Sequence, residues 1–211
     1  MDKFEEMSLL LQGGKRRDLT ARVQQELAEG TTAKEILEKS LIPGMEVVGV
    51  KFKNDEIFVP QVLVAAKAMN EVLAILRPIL TNSGVEPLGK VVICTVKGDL
   101  HDIGKNIVRI MLEGTGFTVI DLGVDISSET VINAVKEHHP DIVCLSALLT
   151  TTMEYDRVII NDLIKAGLRD SVKVMVGGAP VTQKFADEIG ADSYTPDAAS
   201  CAAAAKALLG K

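Results

Sequence analysis

The chain has 211 residues, 47% of them apolar, with a mean hydropathy of +0.22, a net charge of −6 and a pI near 5.2. That is enough for one large or two small domains, each with its own core. It excludes a broad nucleic-acid or anionic-membrane surface, which would need clustered cations; Lys15, Arg16 and Arg17 alone are locally basic and read as a solvated turn.

The first six residues are too acidic for a signal peptide, and no apolar run reaches the length of a membrane span, so a cytoplasmic protein is expected. Phe4, Met7, Leu10 and Leu11 fall on one face of a first helix that Gly13 and Gly14 stop. A second helix runs from about 18 to 28 and ends at Gly30. Thr32 followed three residues later by Glu35 is a capping-box pattern that opens a third, with Pro43 and Gly44 expected to kink it before Met45. After a polar loop at 53–56, a long fourth helix begins near Val59 and Pro60, where the missing proline N–H costs nothing. Four amphipathic helices with short connections make a bundle.

Residues 83–89 break the periodicity and serve as a linker, giving expected domains of 1–86 and 87–211. Beyond it, strand-like runs at 91–96, 117–121, 141–146, 172–177 and 191–194 alternate with helical patterns at about 105–114, 128–138, 152–166, 181–189 and 197–209. Such alternation predicts a parallel sheet with helices on both faces, here five strands in the flavodoxin-like, Rossmann-like order 2-1-3-4-5. The three cysteines, Cys94, Cys144 and Cys201, lack ligand spacing and read as small buried residues in a reducing compartment.

Ligands of open α/β sheets bind beyond the carboxyl ends of the strands, which singles out the loop from 97 to 106, Lys-Gly-Asp-Leu-His-Asp-Ile-Gly-Lys-Asn. It is not a phosphate-cradling loop. Five residues, 99–103, separate its glycines instead of four, and Asn106 stands where that loop has a hydroxyl. Asp99 beside His101 points to metal chemistry, because a ligating imidazole usually gives its other N–H to a carboxylate. An exposed loop histidine with acidic neighbours is the competing reading. A lone histidine cannot hold a metal, and His138 and His139, before Pro140, read as solvent-facing. A metal at His101 would therefore arrive with other ligands already attached, as in a macrocycle.

The loop from Asp99 through His101 to Gly104 resembles the D-x-H-x-x-G signature of cobalamin-binding domains. Companion elements follow in register: 41 residues (105–145) lead to Ser146-Ala147-Leu148, an S-x-L, and 28 residues (149–176) lead to Gly177-Gly178. Phe58-Val59-Pro60-Gln61-Val62, followed by 65–69, resembles the helical cap that precedes the cobalamin domain of methionine synthase and of the corrinoid proteins in methanol and methylamine methyltransferase systems. The resemblance covers nearly the whole chain. It implies an N-terminal four-helix cap followed by the α/β cobalamin domain.

The resemblance makes His101 the lower axial ligand of cobalt in cobalamin or a related corrinoid, methylcobalamin included, displacing the cofactor's benzimidazole. Asp99 would accept the other ring hydrogen, and Thr152, where methionine synthase has a serine, would complete a relay whose proton uptake biases the cobalt cycle. Gly98, Asp102, Ile103 and Gly104 belong to the binding loop, and Leu148 to the S-x-L element. Ser146 and Thr150 at the end of the third strand, with Gly177 and Gly178 at the end of the fourth, would admit the displaced nucleotide tail; Gly123 and Val124 would border the corrin edge. Phe52 and Val59 would form an apolar lid over the upper face. The implied function is a non-catalytic methyl carrier, taking a methyl group on cobalt(I) from a substrate-specific methyltransferase and passing it from methyl-cobalt(III) to a second, acceptor-side methyltransferase, with a reductive activation protein as a further partner. An adenosylcobalamin isomerase small subunit and a cobalamin-dependent regulator are the alternatives. The first usually lacks such a cap, and the second needs a DNA-binding module that this acidic chain does not offer. Which methyl donor is served stays open.

Overall fold

A computed structural model describes residues 2–83 and 86–211, the side chain of Thr81 excepted, so Gly84 and Val85 of the expected linker lie outside the described residues. The chain divides into two compact units, one holding the chain through Pro87 together with Gly114–Gly116, the other Leu88–Glu113 and Phe117–Lys211.

The helical unit is built from α1 (Lys3–Gln12), α2 (Arg16–Ala28), α3 (Ala33–Ile36), α4 (Ile42–Lys53) and α5 (Val59–Asn82). Met7 and Leu11 of α1 and Leu19 and Val23 of α2 are buried, and α5 adds the stripe Val62, Ala65, Ala66, Met69, Val72, Leu73 and Leu76. Burial of that helical-period stripe is what holds an amphipathic helix in a bundle. The capping box forms: the Glu35 N–H donates to Thr32 Oγ1 at 3.2 Å and the Thr32 N–H to Glu35 Oε2 at 3.3 Å. The expected kink differs in place and kind. Between α3 and α4 the helix widens into a π turn over Leu37–Leu41, where the Ile42 N–H reaches back to the Leu37 carbonyl. Pro43 lacks an N–H and crowds the preceding turn, and widening that turn relieves the clash without breaking the rod. The α5 segment Val59–Leu80 is also, by length and composition, apolar enough to cross a membrane, contrary to the sequence expectation. The bundle uses it otherwise, by burying its apolar stripe.

The second unit alternates β1 (Lys90–Thr95), α6 (Ile103–Gly114), β2 (Thr118–Asp121), α7 (Ser128–His138), β3 (Ile142–Ser146), α8 (Thr150–Lys165), β4 (Lys173–Gly177), α9 (Gln183–Ile189), β5 (Ser193–Tyr194) and α10 (Ala198–Leu208). All strand pairs are parallel and the order is β2-β1-β3-β4-β5, as the alternation predicts. Val91, Val92, Ile93 and Cys94 of β1 and Ile142, Val143, Cys144 and Leu145 of β3 are buried without alternation, because helices cover both faces of a parallel sheet. One face packs Val92, Cys94, Val96, Val143, Leu145, Val174 and Val176 against Val131, Ile159, Leu163 and Phe185 from α7, α8 and α9. Thr150 is corrected: it opens α8 rather than ending β3.

Candidate cofactor site

Parallel strands bring the carboxyl ends of β1, β3 and β4 to one edge, with Thr95 paired to Ser146 and Ser146 to Gly177. The loop after β1 turns through Gly98, whose φ of 85° favours glycine. A strap fixes it: the Gly98 N–H donates to Asp125 Oδ1 at 2.7 Å and the Asp125 N–H to the Asp99 carbonyl at 3.0 Å. Thr95 Oγ1 donates to the His101 carbonyl at 2.9 Å, which pins the backbone below the imidazole.

Asp99 is fully buried, and both its oxygens are engaged. Oδ1 accepts from the His101 N–H at 3.0 Å and lies 2.7 Å from His101 Nδ1; Oδ2 accepts from the Leu148 N–H and from Thr152 Oγ1, each at 2.7 Å. Burial alone would raise this carboxyl, but the hydrogen bonds from His101, Leu148 and Thr152 outweigh it and hold Asp99 well below the usual carboxylate range. An ionised carboxylate can only accept, so Nδ1 carries a proton, and in the neutral imidazole Nε2 is the nitrogen that keeps the lone pair. The His101 side chain is 53% exposed. Thr152, in the first turn of α8, donates its single hydroxyl proton to Asp99 while accepting from the Leu149 N–H at 3.3 Å. The methyl group that distinguishes it from serine does not disturb the bond to Asp99.

An apolar rim accompanies the imidazole. Leu100 and Ile103 from the loop are 71% and 70% exposed, and Leu148 and Leu149, next to the Asp99 contact, are each 42% exposed. Large apolar side chains left bare in one stretch of loop mark an interaction surface. Gly104 and Gly123 add open space, since a Cβ at either would meet nothing within 4 Å. Gly178 is the opposite case: its φ is 127° and a Cβ would lie 1.8 Å from the Ala147 carbonyl oxygen, so β4 and the chain after β3 approach as only glycine allows. Among the described residues no three His, Cys, Asp or Glu side chains gather as a metal cluster. His101 can offer a metal one bond, which fits an ion brought by a macrocycle.

The structure thus brings Gly98, Asp99, His101, Leu148 and Thr152 into one hydrogen-bonded set, with Ser146, Gly177 and Gly178 at the adjoining strand ends. Asp102 has a different part: it precedes α6, its carboxylate taken by Asn106 Nδ2 at 3.0 Å. Gly123, with a φ of 93°, is held by Asp121 Oδ1 at 2.9 Å, while Asp121 Oδ2 receives the buried Lys105 Nζ at 2.5 Å; Val124 beside it is half-buried. Phe52, in the last turn of α4, and Val59, opening α5, are half-buried members of the helical unit, and Phe58 is 62% exposed. Sequence reasoning did not select Leu100, Leu149, Asp125 or the Lys105–Asp121 pair. Leu100 and Leu149 carried a signal, as large apolar residues in loops where polar ones are usual.

Comparison with known proteins agrees with this geometry. Family profiles described as B12 binding domain match residues 89–203 and, separately, 3–77. The chain is 48% identical over 185 residues to a trimethylamine corrinoid protein of Methanosarcina barkeri, covering 87% of this chain and 85% of that one. Among solved structures, a cobalamin-binding protein from Desulfitobacterium hafniense aligns with a TM-score of 0.82 and 31% identity over 99% of this chain and 98% of its own. A chain of the methanol:cobalamin methyltransferase complex from Methanosarcina barkeri aligns with a TM-score of 0.85 and 30% identity, covering 97% of this chain and 78% of that chain. On the matched domains and the shared fold, the chain belongs to the B12 binding domain family.

Proposed function

We propose that the protein is a corrinoid methyl carrier in which His101 Nε2 is the lower ligand of cobalt. The observation that carries this reading is the buried, ionised Asp99 holding the His101 proton on Nδ1 and so presenting Nε2 as a donor. When bound, the corrinoid supplies a cobalt centre that can accept and give up a methyl group. The chain's own residues do the rest. Asp99 fixes the imidazole tautomer, Thr152 and the Leu148 N–H fix Asp99, and Leu100, Ile103, Leu148 and Leu149 would present apolar surface to the bound group. Ser146, Thr150 and Gly177 would line the way of the nucleotide tail, Gly178 lets the chain after β4 close on Ala147 beside them, and Gly123 and Val124 would border the macrocycle. Phe52 and Val59 are assigned to an apolar cover on the strength of the family resemblance of the helical unit.

The partners proposed are a substrate-specific methyltransferase, an acceptor-side methyltransferase whose acceptor is a thiol cofactor or tetrahydrofolate, and a reductive activation protein. Identity with a trimethylamine corrinoid protein supports a methylated amine as donor. Three free cysteines support a reducing, cytoplasmic setting. The test is the absorption spectrum of the protein reconstituted with methylcobalamin, wild type beside His101→Ala. The wild type is expected to show the histidine-ligated form and the variant the base-off form; identical spectra would overturn the axial assignment.

A further inference from the structure

The carboxylate of Asp99 is held from the β3 side of β1, by Leu148 and Thr152. Its main chain is held from the β2 side. The connection 121–126 runs along the end of β1, where the Leu122 N–H donates to the Ile93 carbonyl at 2.9 Å, the Thr95 N–H to the Gly123 carbonyl at 2.9 Å and the Ile126 N–H to the Thr95 carbonyl at 3.1 Å. Its start is tied to α6. Buried Lys105, in the first turn of that helix, reaches Asp121 Oδ2 at 2.5 Å, while Asp121 Oδ1 takes the Gly123 N–H. Further along, Asp125 turns both an acceptor and a donor on the histidine loop: Oδ1 takes the Gly98 N–H at 2.7 Å, and its own N–H reaches the Asp99 carbonyl at 3.0 Å. To do both it adopts a φ of 56°, left-handed backbone that residues with a Cβ seldom enter and that Asp and Asn tolerate best. Strain of this kind at an exposed loop residue points to a task for the two bonds.

We infer that Asp125 is a positioning residue for the His101 imidazole: it clamps the main chain of Gly98 and Asp99 from the β2 flank, so that the carboxylate held from the β3 flank meets Nδ1 at 2.7 Å. The donors on Leu148 and Thr152 set where the Asp99 oxygens lie. They leave the main chain free to swing about that carboxylate, and the main chain decides where His101, two residues on, stands. Gly98 supplies the turn with its φ of 85° but has no side chain to hold it, so the holding falls to Asp125. The connection itself is a firm base, since Lys105 and three main-chain bonds tie it to α6 and β1. The action of Asp125 on cobalt ligation runs through Asp99 and rests on the carrier reading; its clamp on the loop does not.

Three variants separate the parts of Asp125. Asp125→Asn keeps an acceptor oxygen and tolerates the left-handed conformation, Asp125→Gly keeps the conformation and loses the acceptor, and Asp125→Ala loses both. Amide hydrogen exchange in the full chain without corrinoid, followed by NMR, is read at Gly98 and at His101, whose N–H is bonded to Asp99 Oδ1. Exchange at both is expected to quicken about tenfold in Asp125→Gly, further in Asp125→Ala, and to stay near wild type in Asp125→Asn. Faster exchange at Gly98 with His101 unchanged would make Asp125 a local turn bond and overturn the inference; Asp125→Gly suffices for this if the alanine variant does not fold. In the methylcobalamin-loaded chain at one pH, the base-off fraction is expected to rise in the same order. A lower melting temperature in Asp125→Gly with the wild-type share of the histidine-ligated form would leave Asp125 a structural role alone and overturn its part in ligation. If wild type and His101→Ala give the same spectrum, the axial reading falls, and exchange in the corrin-free chain decides the clamp by itself.

Discussion

Two aspartates of the sheet unit, Asp99 and Asp156, are equally shut away from water, each with no exposed surface. Asp99, at the mouth of the site, is wrapped by donors and stays ionised. Asp156, one turn beyond Thr152 on α8, has no hydrogen-bond partner on either oxygen among the described residues, and burial, helped by Glu154, pushes it up to about 8. Burial acts in the same direction on both carboxyls; the donors decide the outcome. One helix serves both states, its amino end holding Thr152 against a charge and its next turn keeping a neutral acid in the core. Only the charged one can fix a histidine tautomer.

The largest effect expected from this contrast is on stability against pH. Asp156 titrates near 8 when folded and near the ordinary ~3.9 when unfolded. Between those values the folded chain keeps a proton that the unfolded chain has released, so the Asp156 contribution to stability falls as pH rises from about 4 to 8 and levels off above. The slope is about 1.4 kcal/mol per pH unit, on the order of 5 kcal/mol in all. Urea unfolding of wild type and Asp156→Leu at pH 5, 6, 7 and 8 measures it by difference. The variant is expected to gain on the wild type at each step, and a gap independent of pH would break the comparison.

Removing the carboxyl has the opposite sign at the mouth. Asp99→Ala leaves the Leu148 N–H, the Thr152 hydroxyl and both His101 donors without their acceptor, at a cost of about 3–4 kcal/mol in urea unfolding near pH 7. A stabilised Asp99→Ala would mean that the donors do not hold the charge.

The contrast also marks what the sequence could reveal. Asp99 and His101 are two residues apart, so their pairing is local and legible, and the strand–helix alternation makes the sheet order legible too. Thr152 is legible only through the resemblance to methionine synthase, which has a serine at this position six residues after the S-x-L serine, since its partner lies 53 residues away. Asp156 had a signal that was not read: Thr152, Asp156, Ile159, Ile160 and Leu163 share one helical face, which is the buried one. The Leu148 N–H contact and the strap from Asp125 depend on how two loops meet at a sheet edge, and residue type does not encode that. At Pro43 the sequence announced a disturbance but not its form, since a kink and a π turn both relieve the same clash.

Thr152→Val keeps the shape and removes the hydroxyl. Asp99 Oδ2 retains the Leu148 N–H at 2.7 Å, so the expected loss is about 1–2 kcal/mol. In the methylcobalamin-loaded protein the histidine-ligated band should weaken as Asp99 is held less firmly. A variant as stable as wild type would assign Asp99 to the backbone donors alone.

Thr152→Ser should do least, and it separates the two halves of the threonine side chain. The hydroxyl, 2.7 Å from Asp99, is retained, so the relay and the spectrum should stay as they are. The methyl group is lost, and Cγ2 lies 3.6 Å from where a Cβ of Gly98 would stand, so it fills space over the turn that carries the loop. A void of one methyl beside a half-open turn collapses partly, and the expected cost is about 0.5 kcal/mol. If serine instead costs as much as valine, packing against Gly98 rather than the bond to Asp99 is what Thr152 contributes, and the amino end of α8 would hold the loop by shape instead of by charge.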